Sequence, residues 1–197
     1  RECGTADMLI TETENQLTRD LPSKYNFGSF YRPLTSGNGG ATPKNPQILG
    51  ELQENPQFYV EDDDVTSLAV FKDSGKTGYA YKKIGFFNTW HSIYAGAPCV
   101  PSAILRRIAK FAGVHLYVDS DKYDDIIYHN KSFLGIHTKT SGIRKFSLPQ
   151  KSDVYDLFNN RLIAKDVTEF SIFIPALTTG LYFIGDYKKL QSGMPGK

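Results

Sequence analysis

The chain is 197 residues long with 23 basic and 21 acidic side chains, a formal charge of +2. That length fits one ordinary domain or two small ones with a core of their own. The near balance of charge gives no reason to expect a nucleic-acid partner, and the absence of a run of about 18 apolar residues leaves nothing to span a membrane as a helix. With 12 Tyr and 13 Phe, the composition leans towards half-buried β surfaces.

Met8 to Thr11 reads as a short strand. The stretch after it, NQLTRDLPSKYNFGSFYRPL, mixes turn residues with aromatics and is expected to be an ordered loop with a short strand near Ser29 to Arg32. There Tyr25, Phe27, Phe30 and Tyr31 would cover a sheet edge. SGNGGATPKNP, from Ser36 to Pro46, has no periodicity and is expected to be a mobile surface loop; its opening, Ser36 to Gly40, lacks the lysine and following helix of a phosphate loop.

QFYV, TSLAVFK and GYAYKK bring β patterning back. Asp73 to Lys76 has hairpin chemistry, with Gly75 free to take positive φ, so the flanking runs are expected to pair antiparallel. The acidic run Glu61 to Asp64 lacks the spaced ligands and glycine of a calcium loop, and is read as a solvated turn.

Asn88 to Val118 carries the clearest local signals. It reads strand, turn, helix, turn, strand: Pro101 suits the start of the helix, and Gly113 suits its left-handed end. Ile104, Leu105, Ile108, Ala109 and Ala112 would make the buried stripe, while Arg106, Arg107 and Lys110 share the wet side. Val114 to Val118 is expected to be a strand beneath this helix. After the acidic turn DSDKYDD, β-prone segments recur every 8 to 12 residues, with Asn159 and Asn160 at one turn, which predicts a small antiparallel sandwich. One face of Thr168 to Ile174 should be buried.

The search for chemistry is mostly negative. The glutamates lie in polar, turn-like surroundings, and Cys99, although near a helix start, has no neighbouring base. His91, His115, His129 and His137 share no metal-ligand spacing. No catalytic residue, metal site or cofactor is assigned. Trp90, with His91 and Tyr94, is the candidate platform for stacking on a sugar ring, against the plainer reading that it covers the helix flank. A disulfide between Cys3 and Cys99 is left open. A start at Arg1, without Met, suggests a processed, trimmed or partial polypeptide. The chain is expected to be soluble, and secretion and the periplasm are both compatible with it.

The runs NQLTRDLP, FYRPL, NPQFYVEDDD, WHSIYAGAPCVPSAILRRIAKFAGVHLY, YHNKSFLGIH, SDVYDLF and TEFSIFIPALTTGLYFIG resemble the C-terminal part of bacterial β-galactosidase-like glycosidases related to glycoside hydrolase family 42. The resemblance covers roughly Met8 to Gly185. It implies an α/β fold followed by all-β: a partial flavodoxin-like, class I amidotransferase-like domain over residues 1–120 with one clear helix, and a small antiparallel β-sandwich over 121–186; the run from 187 to 197 has no core pattern and is expected to be a disordered tail. The family's catalytic glutamates sit in a (β/α)8 barrel of about 250 residues, for which this chain has no room. The implied role is therefore a non-catalytic accessory or oligomerisation region, with a carbohydrate-binding module and a structural or assembly protein as alternatives. Its partners would be the rest of a parent glycosidase or identical subunits. The contact surface would involve Tyr25, Phe27 and Tyr31 with the basic helix face of Arg106, Arg107 and Lys110.

Overall fold

A computed structural model describes residues 2–22, 24–28, 53–97, 100–118, 122–123 and 125–189. The chain divides into two compact units, Arg1–Ala112 and Gly113–Lys197.

The first unit is built from β1 (Glu2–Thr5), β2 (Met8–Ile10), β3 (Asn26–Phe27), β4 (Gln53–Gln57), β5 (Thr66–Phe71), β6 (Thr77–Ile84), β7 (Trp90–Ala95) and the helix α1 (Ser102–Phe111). β1 pairs with β4, and the main sheet runs in the order β3-β2-β5-β6-β7. Every one of these pairings is antiparallel. The expected partial flavodoxin-like, amidotransferase-like α/β domain is thereby overturned. A doubly wound sheet needs crossovers of a dozen or more residues between parallel strands. Here β5 to β6 and β6 to β7 are joined by short hairpin loops, and the hairpin between β5 and β6 turns at Gly75, whose φ is 68°.

Ala6, Met8, Ile10, Leu17, Phe27, Leu68, Phe71 and Tyr79 form the core of this unit, and Ile104 of α1 joins them. Gly78 and Gly96 let the strands close over it: a Cβ at Gly78 would lie 2.5 Å from Met8 Sδ and 2.8 Å from the Phe71 ring, and one at Gly96 would lie 2.8 Å from the same ring.

Pro101 caps α1 in extended conformation, and Gly113, at φ 73°, follows its last turn. The buried stripe is rotated from the one expected. Ile104, Ile108 and Phe111, at i, i+4 and i+7, pack on the core, whereas Leu105 and Ala112 face solvent. Phe111, an aromatic at the end of the helix, draws that face round by meeting Tyr81 and His91 edge-on. Val114 to Val118 is not a strand either. It runs as irregular chain, tied to the second unit's sheet by the Ser147 N–H donating to the Tyr117 carbonyl at 2.8 Å.

The second unit holds β8 (Ile126–Asn130), β9 (Phe133–His137), β10 (Gly142–Asp156), β11 (Arg161–Ile174) and β12 (Thr179–Gly185), in the sheet order β11-β10-β12-β9-β8. The short segments expected between 143 and 174 merge in pairs into two long strands whose register slips between Ser147 and Ser152. The slip lets the ribbon bend. Phe146 lies ten residues from Asp156, the partner of Tyr182, which is about 33 Å along an extended strand. Yet the Phe146 ring is 6.1 Å from that of Tyr182, and Phe170, stacked on Phe146 at 4.7 Å, is 6.0 Å from it. The far half of the ribbon therefore folds back over the sheet in sandwich-like fashion, enclosing Leu134, Ile136, Val154 and Ile184. Phe170 and Ile174 are buried while Glu169, Ser171 and Phe173 are exposed, so one face of this run is buried.

Beneath this layer Arg144 is fully buried. Its Nε and NH2 donate to the two carboxylate oxygens of Asp125 at 2.6 and 3.0 Å, NH2 also donates to the Thr140 carbonyl at 2.6 Å, and the Tyr123 ring lies 3.6 Å from the guanidinium carbon. The Asp125 carboxylate raises the Arg144 pKa above its ordinary value, against the opposing cost of burial.

Candidate functional site

The residues singled out from the sequence fall on both faces of β7. Side chains alternate along a strand, so Trp90, Ser92 and Tyr94 share one face while His91 and Ile93 occupy the other. His91 is committed to the helix side. Its ring stacks on Tyr81 at 5.7 Å with Nδ1 2.8 Å from the tyrosine hydroxyl, and it meets Phe111 edge-on at 5.0 Å. Tyr94 donates its hydroxyl to the Phe58 carbonyl at 3.1 Å. Trp90 is 56% exposed and adjoins the β6–β7 turn, where Phe86 and Phe87 are 90% and 93% exposed and meet edge-on at 5.0 Å. Gly85, at φ 93°, fixes this turn; a Cβ there would lie 2.4 Å from the Asn88 carbonyl oxygen.

Of the expected contact residues, Phe27 is in the core, edge-on to Tyr79 at 5.6 Å, and Tyr25 packs partly buried beside it. Arg107 donates to the Arg19 carbonyl at 2.7 Å and the Ala103 carbonyl at 2.8 Å, pinning α1 to the 15–20 turn. Arg106 reaches Ser102 Oγ at 3.5 Å, and Lys110 lies exposed in the last turn of α1. Tyr31, Cys99 and the loop from Ser36 to Pro46 lie outside the described residues, and with them the question of a Cys3–Cys99 pair.

The acidic run is held by lysines. Lys82 donates to Asp62 at 2.6 Å and Lys76 to Glu61 at 3.3 Å, and the Lys82 contact holds the Asp62 carboxyl below its usual range. Each histidine has a hydrogen-bond partner: Tyr81 for His91, the Ser147 carbonyl for His115, Tyr117 for His129 and Thr179 for His137. Among the described residues no group of three or more His, Cys, Asp or Glu side chains is placed to hold a metal ion.

The structure adds an aromatic surface that pattern reading missed, on the outer face of β8, β9 and β12. Register places Gly135 between Tyr128 on one side and Leu181 on the other, with Phe133 and His137 before and after it on the same face. Tyr128 is 72% exposed and Phe133 47%. At one end His137 Nδ1 lies 2.9 Å from Thr179 Oγ1. The signal was present as the alternation in SFLGIH, but one of its two neighbouring strands, β12, comes from more than forty residues away.

No protein-family model matches this sequence, and no curated protein matches it. Among solved structures the chain is similar to the β-galactosidase from Bacillus circulans sp. alkalophilus, with a TM-score of 0.51 and 13% sequence identity. The alignment covers 93% of this chain and 24% of that one, so the chain spans about a quarter of the length of the β-galactosidase it matches. At that identity the likeness is one of fold.

Proposed function

We propose that this chain is a non-catalytic accessory and oligomerisation region of a β-galactosidase-like glycoside hydrolase related to glycoside hydrolase family 42. The observation that carries the reading is the fold: both units, 93% of the chain, align with one quarter of a β-galactosidase. The sequence runs that resemble the C-terminal part of such enzymes point the same way.

Hydrolysis of a glycoside requires two carboxyl groups about 5 to 10 Å apart across the sugar. The accessory reading assigns that pair to a barrel elsewhere in the parent enzyme, with this region shaping its cleft or joining subunits. The isolated chain is then expected to give no turnover of nitrophenyl β-galactoside, and hydrolysis abolished by a single Glu→Gln substitution would overturn the assignment. Light scattering at high concentration tests the association half, which a strict monomer would remove.

A second reading, a carbohydrate-binding module acting through Trp90, draws support from the exposure of that ring. Titration with galactosides should then move its fluorescence; an unmoved spectrum counts against it. A structural or assembly role draws instead on the exposed Phe86 and Phe87.

A further inference from the structure

We propose that the cup centred on Gly135, on the outer face of β8, β9 and β12, is a binding site for a single pyranose ring. Gly135 is the observation that carries it. Its φ lies outside the left-handed region, and a Cβ built there would meet nothing closer than 3.9 Å, the nearest atoms belonging to Leu181 and Tyr128. Neither backbone conformation nor packing on its own sheet calls for glycine at this place. A glycine inside a strand weakens it, and where the backbone does not need one it marks the close approach of something else.

The surroundings fit a sugar. Tyr128 and Leu181 stand on the two neighbouring strands, about 9.6 Å apart across the sheet, and Phe133 and His137 are separated by about 13 Å along it. Between these backbone positions glycine is the floor, with Leu181 Cδ1 beside it, over a span comparable to one pyranose ring. Its walls are apolar and aromatic, Tyr128, Leu181 and Phe133, the last braced edge-on by Phe183 at 6.0 Å. They would cover the C–H face of the ring. The His137–Thr179 pair, 2.9 Å apart at the exposed end, offers imidazole and hydroxyl groups to sugar hydroxyls. On β8 exposed Ile126 stands beside His137 and exposed Asn130 beside Phe133, so polar and apolar groups interleave around the glycine, and a pyranose carries both characters on one small body. The preference for galactosides over other pyranosides rests on the accessory-region reading; the cup does not.

The test uses the whole chain, titrated by calorimetry and by amide NMR with methyl β-galactoside and methyl β-glucoside. Shallow single-ring sites hold ligand with a Kd on the order of 1 mM. Shifts centred on Gly135, Tyr128 and His137, weakened about tenfold or more by Gly135→Val with the thermal midpoint unlowered, are the expected result. Tyr128→Ala should weaken binding similarly, while Trp90→Ala should leave it unchanged. Binding of glucoside without galactoside would uphold the cup and count against the galactosidase reading. No shift with either sugar at about 50 mM, well above such a Kd, would overturn the proposal. So would equal binding by Gly135→Val, or a dimer that Gly135→Val dissolves.

Discussion

Tyr79 shows what one buried group does to the pH range of stability. It is fully buried, its hydroxyl has no hydrogen-bond partner among the described residues, and burial pushes its pKa up to about 12. The folded value lies above the unfolded one of about 10, so the contribution is fully present below pH 10 and is lost as pH rises towards 12. Roughly 2 kcal/mol is at stake, allowing for screening. Tyr79→Phe keeps the edge-on contact with Phe27 and removes the unmatched hydroxyl. Urea unfolding should show it about 1 kcal/mol more stable at pH 8, with a smaller alkaline loss by pH 11. Arg144 differs in that its buried charge is met by the Asp125 carboxylate through Nε and Nη2, although Nη1 has no hydrogen-bond partner among the described residues. Asp125→Ala strands it, and the second unit should lose about 3 to 5 kcal/mol in the same assay.

At the scale of elements, close packing decides what pattern leaves open. Gly78→Val would drive its side chain into Met8 and Phe71, and is expected to cost about 3 kcal/mol or more by thermal unfolding. Phe146→Ala removes a ring stacked on Phe170 and should cost about 3 to 5 kcal/mol. Local signals located the elements well. The turn at Gly75, the helix between Pro101 and Gly113, and the turn at Asn159 and Asn160 all stand where their residues demand special backbone geometry. The antiparallel pairing of β5 with β6 was legible from the turn at Gly75; the fate of the chain beyond the helix was not. A helix between β-prone runs suits a parallel crossover and an antiparallel sheet alike, and the first is excluded because Val114 to Val118, the run after the helix, forms no strand. The face of α1 was misread because Phe111 outweighs Leu105. The candidate site was legible only in part: exposure of Trp90 follows from a turn, but the opposite orientation of His91 follows from strand alternation that the motif WHSIY itself contains.

For the whole molecule, the two units have separate cores, one gathered around Phe71 and Tyr79, the other around Phe146 and Tyr182. The fold is like that of one quarter of a β-galactosidase, the kind of relative the sequence runs resemble, whereas the flavodoxin-like first domain inferred from that resemblance gives way to an antiparallel sheet. The exposed Phe86 and Phe87 belong to this scale as well. If they serve association, Phe86→Ser with Phe87→Ser should convert an oligomer to monomer by light scattering without lowering the melting temperature, since neither ring supports a core.

β12 is the last strand among the described residues of the second unit and yet the middle one of its sheet, between β10 and β9. Until Thr179–Gly185 has left the ribosome, the hairpins on either side have no common partner and both expose an open edge. A premature stop before Thr179 would therefore do more than shorten the protein: it would release two half-sheets ready to recruit strands from neighbouring chains, and inclusion bodies are the expected fate.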